Sequence, residues 1–207
     1  VPHVARTAIA AKEGEVDLFA LLKESLRQRP DYIIVGEVRG PEAFVLFQEM
    51  ATGHPSLATI HAENIQKLVD RLTTPPISLP PSLVQSVDII TFILQTRYRE
   101  RIVRRIFEIY EVIGFDRTKN FPIVNQVFRW DAINDKFEAV NKSFVLKKIS
   151  ERWGIKEIDL ISELRRRMLV LDWLKRRNII DYEDFYKVIR AYYNFPDRLI
   201  EIIKSYE

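Results

Sequence analysis

The chain has no cysteine among its 207 residues. Disulfides and thiolate metal sites are therefore excluded, and a reducing compartment is compatible. Glycine is scarce: Gly14, Gly36, Gly40, Gly53, Gly114 and Gly154 complete the set, and none precedes a lysine. A loop ending Gly-Lys-Ser/Thr, whose backbone N–H groups and lysine would cradle phosphates, is thus missing. No apolar run approaches the roughly 20 residues of a membrane span. No signal peptide, internal repeat or low-complexity tract is visible. The chain opens on Val1 in mid-pattern, which points to a processed or truncated polypeptide.

What is present is the composition of a folded protein with a core: 47% hydrophobic, 11% aromatic and 29% charged. The length suits one substantial domain plus a small one, or a single large one. The net charge of +3 is unevenly spread. Residues 143–207 carry 14 of the 32 basic and 11 of the 29 acidic side chains, so the whole excess lies there. It clusters at Arg165-Arg166-Arg167 and Lys175-Arg176-Arg177. A solvated helix face accounts for these clusters, with an anionic headgroup or an acidic docking partner as the alternative.

Periodicity predicts alternating helices and strands over the first part. Residues 17–29 place Leu18, Leu21, Leu22 and Leu26 on one helical face. Residues 32–35 read as a buried strand ending at Gly36-Glu37. Pro41-Glu42 opens a helix running to about residue 51. A strand over 57–60 and a helix over 65–72 follow. Such alternation argues for a parallel sheet flanked by helices. Four prolines between residues 75 and 81 interrupt it. Residues 88–95 and 102–113 then read as an antiparallel hairpin, extended by strands over 121–130 and 136–140. From Ser143 the pattern is helical. Ile155, Ile158, Ile161, Leu164, Met168 and Leu171 recur every three or four positions, Asp181 is placed to cap a helix, and Pro196 to open the last. The domain division expected is 1–142, an α/β part with an antiparallel β extension, and 143–207, a helical bundle.

The chemistry concentrates at two predicted strand ends. Glu37 and Arg39 follow the first strand, in Val35-Gly36-Glu37-Val38-Arg39. Ligands bind at the carboxyl edge of open α/β sheets. A carboxylate there can orient and deprotonate a water for attack on a phosphate, or hold Mg²⁺ through water. The second strand ends on His61 and is preceded by His54. An imidazole N–H can donate to a terminal phosphate. His54 is balanced between that role and a capping one. His61-Ala62-Glu63 also matches half of a zinc deaminase motif, but the Pro-Cys-x-x-Cys half is excluded. A His and carboxylate metal site from His54, His61, Glu63 and Glu37 lacks ligand spacing. Arg39, then Arg71, are the best arginines for phosphate or subunit contacts. Arg97, Arg99, Arg101, Arg104 and Arg105 surround Tyr98 on the hairpin turn. That patch invites a nucleic-acid reading but lacks a recognition module, so it is taken as a partner or subunit contact.

Leu26 to Gly40 resembles the Walker B region of the secretion ATPase superfamily, which serves type II and type IV secretion, type IV pili and the archaellum. In that family Gly-Glu closes the strand. Thr52-Gly53-His54 through Thr59-Ile60-His61-Ala62-Glu63-Asn64 resembles its His box. The order and the intervening helix also match, as does Arg71-Leu72. The likeness is to the carboxyl-terminal part, with the hairpin and helical tail most like the archaeal branch.

The resemblance implies a RecA-like P-loop NTPase core of which the first strands and the P-loop lie upstream of Val1. It implies Glu37 as catalytic carboxylate, His61 near the γ-phosphate and Arg39 within the Walker B motif. Arg6, His54 and Arg71 would bind nucleotide or face a neighbouring subunit. The intact protein would be a Mg²⁺-dependent ATP hydrolase and this chain alone inactive. It would act as a homo-oligomer, a hexameric ring, in the cytoplasm at the inner face of the membrane, on an integral membrane platform protein. A nucleic-acid motor of the same core class and a non-enzymatic docking module are the alternatives, nucleic acid being the less favoured partner.

Overall fold

A computed structural model describes Pro2 and residues 18–205. The chain divides into two compact units, Val1–Phe144 and Val145–Glu207. The first is mixed α/β. Helix α1 (Leu18–Arg27) leads to strand β1 (Ile33–Val35), helix α2 (Glu42–Thr52), strand β2 (Ser56–Ala58) and helix α3 (Ile65–Thr73). β1 and β2 pair in parallel, Ile33 with Ser56, Ile34 with Leu57 and Val35 with Ala58. The helix between them supplies the crossover that parallel pairing needs.

Local chemistry sets these boundaries. α2 ends at Gly53, whose φ of 96° is the left-handed C-cap that glycine adopts without strain. The Gly53 and His54 N–H groups close the last turn on Met50 and Glu49 carbonyls, and the chain turns into β2. Asn64 caps α3 by accepting from the Lys67 N–H at 2.9 Å. After the proline-rich stretch a 3-10 helix (Pro81–Ser86) carries Val84, fully buried, into the core.

Four antiparallel strands complete this unit in sequential order: β3 (Ile89–Tyr98), β4 (Arg101–Asp116), β5 (Phe121–Asp131) and β6 (Lys136–Ala139). The hairpin strands run further than expected, leaving only Arg99 and Glu100 as the turn, both at positive φ. The core joins Leu22 of α1, Val35 of β1, Leu46 and Phe47 of α2, Leu72 of α3, Val84 and Phe92. Arg105 leaves the basic patch. It grips Asp135 through two bonds of 2.8 and 2.9 Å, and Trp130 Nε1 donates to the same carboxylate.

The first strand is not buried on both faces. Ile33 and Val35 point into the core, whereas Ile34 is 73% exposed and Leu57 beside it is also exposed. The apolar run suggested full burial, but among the described residues nothing covers the outer face of this two-stranded sheet. A cavity of about 620 Å³ opens along the free edge of β2, between Leu57, Ala58 and Thr59 on one side and Ile89, Thr91 and Ile93 on the other.

The second unit packs three helices, α5 (Glu157–Arg176), α6 (Tyr182–Asn194) and α7 (Pro196–Ser205). Val170 and Leu174 bury against Tyr192, Ile200 and Ile203. Asp181 caps α6 by accepting from the Glu183 and Asp184 N–H groups. Helix α4 (Phe144–Trp153) buries none of its residues. The apolar stripe of Ile158, Ile161, Leu164, Met168 and Leu171, which marked the helical period, is exposed. Spacing identifies an apolar face but not the direction it points. No helix among the described residues is long and apolar enough to cross a membrane.

Two stability outcomes follow. Leu46 is completely buried, so Leu46→Ala should cost about 2–5 kcal/mol in urea unfolding. Arg105 and Trp130 hold the Asp135 carboxyl at about 2 against an ordinary 3.8. Its contribution is complete above about pH 4 and is lost as the pH falls toward 2. The urea midpoints of the parent and Asp135→Asn should differ most above pH 4 and converge near pH 2.

Candidate functional site

Backbone pairing outlasts β1 and β2 and carries the candidate residues together. Beyond the last strand pair the Val38 N–H donates to the Thr59 carbonyl at 2.9 Å, and Thr59 Oγ1 donates to the Gly36 carbonyl at 2.5 Å. These two bonds bracket Glu37. Val38 is buried and anchors the loop in the core. In an extended chain its neighbours fall on the opposite side, so Glu37 and Arg39 emerge together at the carboxyl edge. His61 follows two residues after Thr59 and reaches the same place.

The Glu37 carboxylate is the hub. Arg39 Nη2 donates to its Oε2 at 2.5 Å. His61 Nε2 stands 3.3 Å from Oε1, a close approach not aligned as a hydrogen bond. Glu37 Oε1 is sealed from solvent and has no hydrogen-bond donor among the described residues. The hub side chain is 22% exposed, its His61 partner 79%. A partly enclosed carboxylate thus sits beneath an imidazole and a guanidinium that are open to a ligand.

Electrostatics keep that carboxylate charged. The Arg39 hydrogen bond holds the Glu37 carboxyl below its ordinary range. Partial burial opposes this, and the charges of Arg39, His61 and Arg71 add to the lowering. The same bond raises the Arg39 guanidinium. Arg71, in the last turn of α3, therefore acts on the site through its field. Among the described residues, no group of three or more His, Asp or Glu side chains is arranged to hold a metal ion. A lone carboxylate, with Oε1 sealed and Oε2 bound by Arg39, does not make a direct Mg²⁺ site.

The other candidates fall elsewhere. His54 precedes β2, at the opposite end of the strand from His61. Its Nδ1 pairs with Glu49 Oε2 at 3.0 Å and lies 3.3 Å from Thr52 Oγ1, so it finishes the end of α2. Arg6 lies outside the described residues. Arg97, Arg99, Arg101 and Arg104 are exposed around the hairpin tip, away from Glu37 in the chain's topology.

Glu42 was legible only as an acid in a helix's first turn, yet it builds the loop. It is buried, and its Oε1 accepts the N–H groups of both Arg39 and Gly40, at 2.6 and 2.8 Å. The positive end of the α2 dipole favours its charge. A Cβ at Gly40 would stand 3.1 Å from Glu42 Oε2, so this close approach suits glycine. Glu42→Ala should speed amide hydrogen exchange at Arg39 and Gly40 by about tenfold or more, since two enclosed donors lose their acceptor. Glu42→Gln keeps Oε1 and should preserve most of the protection.

Comparison with known proteins agrees with the motif reading. Residues 1–163 match the family described as Type II/IV secretion system protein. The chain is 38% identical over 187 residues to the uncharacterized protein MJ1287 of Methanocaldococcus jannaschii, covering 90% of this chain and 69% of that one. It is 40% identical over 100 residues to the probable conjugal transfer protein TrbB of Sinorhizobium fredii, covering 45% of this chain and 30% of the relative. It is 46% identical over 52 residues to protein VirB11 of Agrobacterium fabrum, covering 25% of this chain and 15% of the relative. The chain thus spans about two thirds of the length of the first relative and less than a third of the other two. The polypeptide belongs to the type II/IV secretion system protein family.

Proposed function

We propose that this chain is the carboxyl-terminal part of an ATPase that powers protein secretion or the assembly of a pilus or archaellum. The observation that carries the reading is the convergence of Glu37, Arg39 and His61 at the carboxyl edge of two parallel strands. The enclosed, charged Glu37 fits the group that orients the attacking water and takes its proton. Arg39 would hold Oε2 and fix the orientation of the carboxylate. His61, exposed and adjacent, would donate to the terminal phosphate as charge develops there. Mg²⁺, held through water by Glu37, would supply neutralising charge on the phosphate oxygens.

A RecA-like core is supported by the shape of the unit. The free edge of β2 and the apolar cavity between β2 and β3 have the character of a slot for a further strand, and parallel sheets are normally covered on both faces. A strand entering there would end at the same edge as Glu37 and His61 and could deliver the phosphate-cradling loop. On this reading the chain by itself does not turn over ATP. Arg71 would add positive potential to the nucleotide pocket. Arg6 is retained as a nucleotide or subunit contact. His54, committed to Glu49, fits a subunit-facing position better than a phosphate contact. Family membership supports a homo-oligomeric ring, a hexamer, at the cytoplasmic face of a membrane and bound to an integral platform protein.

In the intact protein, Glu37→Gln should lower steady-state phosphate release about 10²–10⁴-fold. Titration with a fluorescent ATP analogue should show binding retained. Turnover at the parental rate would remove Glu37 from the mechanism. Loss of nucleotide binding would assign it to the pocket instead.

A further inference from the structure

The Glu37 side chain is only as well placed as the two peptide planes that flank its Cα. A peptide unit is planar, so holding its carbonyl or its N–H holds the whole plane. The plane before Glu37 joins the Gly36 carbonyl to the Glu37 N–H. The plane after it joins the Glu37 carbonyl to the Val38 N–H. One residue grips both. The Thr59 hydroxyl donates to the Gly36 carbonyl at 2.5 Å, and the Thr59 carbonyl accepts from the Val38 N–H at 2.9 Å. With both planes held, the two soft dihedrals of Glu37 are set, and with them the direction in which its side chain leaves the chain.

The hydroxyl bond falls at a soft point. Burial of Ile33 and Val35 fixes β1, and regular pairing with β2 stops at Val35 opposite Ala58. Gly36 comes next. It has no Cβ, and one added there would meet nothing within 4 Å. Neither the strand ladder nor a packed side chain therefore orients its carbonyl. Beyond Glu37 the buried Val38 anchors the chain again. Thr59 bridges the gap between these two anchors. Its hydroxyl reaches across 23 residues of sequence, whereas Arg39 and Glu42 bond to groups two or three residues away in their own loop.

We infer that Thr59 is a positioning residue for the reaction: its hydroxyl, acting through the Gly36 carbonyl, holds the Glu37 carboxylate in its working orientation. The inference rests on the reading of Glu37 as the group that orients the attacking water.

Thr59 is exposed, so Thr59→Val removes a hydroxyl without opening the core, and Thr59→Ser keeps the hydroxyl. In the intact protein, Thr59→Val should lower kcat for ATP hydrolysis about tenfold and leave KM within about twofold of the parent. Thr59→Ser should recover most of the rate. The effect should disappear once the positioned group is disabled. Added to Glu37→Gln, Thr59→Val should change the residual phosphate release by less than about twofold. Parental kcat in Thr59→Val would overturn the inference, and so would a Thr59→Ser variant as slow as Thr59→Val. A loss that multiplies in full with that of Glu37→Gln, or a raised KM at parental kcat, would also overturn it and make Thr59 a nucleotide contact in its own right. Parental turnover in Glu37→Gln alone would remove the underlying reading, and the inference with it, whatever Thr59→Val does.

Discussion

Everything at the candidate site depends on one register, the parallel pairing of β1 with β2. Val35 opposite Ala58 brings Gly36 beside Thr59, and the two bonds that follow set Glu37 level with the approach of His61. A slip of one residue would turn Ile33 and Val35 out of the core and Ile34 into it. It would also part the carboxylate from the imidazole. Burial of Ile33 and Val35 is therefore what aligns the chemistry. Hydrophobic packing on one face of a three-residue strand does the positioning, and the polar groups at its end inherit the result.

The charges then settle among themselves. Arg39 is two residues from Glu37 in an extended segment, so both face one side and meet without help from elsewhere in the chain. The loop between them and α2 is shaped by Glu42, which accepts two consecutive N–H groups. Two carboxylates five residues apart thus have opposed surroundings. Glu42 is buried and its Oε1 accepts from two backbone donors. Glu37 keeps one enclosed oxygen without a donor among the described residues. That unsatisfied oxygen is costly in a resting structure.

Much of this was legible in sequence, for physical reasons. Apolar runs punctuated by Gly36 and Gly53 marked the strand ends, and Pro41-Glu42 and Asn64 marked the helix starts. Glu37 and His61 could be assigned to neighbouring strand ends because one helix of crossover length separates them. His54 stayed balanced between a phosphate contact and a capping role because proximity along the chain is not proximity across a strand: three residues of β2 carry it to the far end, where it meets Glu49. Glu42 escaped notice because a first-turn acid is common and its backbone partners have no sequence signature. Ile34 was misread as buried, and the α5 stripe could be read as helical but not oriented, for a shared reason. Composition reports that a side chain is apolar, while exposure depends on whether another element arrives to cover it.

That last distinction bears on how the site is built. A two-stranded parallel sheet has little stability of its own, and here its outer face and one edge lie open among the described residues. Yet Glu37, Arg39 and His61 are in mutual contact. Their geometry must then come from the side that is covered: α1, α2, α3 and the 3-10 helix, whose Leu22, Leu46, Leu72 and Val84 enclose Ile33, Val35 and Val38. None of these residues belongs to a phosphate cradle. Placement of the acid and the imidazole is thus separable from capture of a phosphate. A scaffold of this kind holds Glu37, Arg39 and His61 in place from the covered side alone; on the reading proposed above, the strand ends would meet a triphosphate without reorganising.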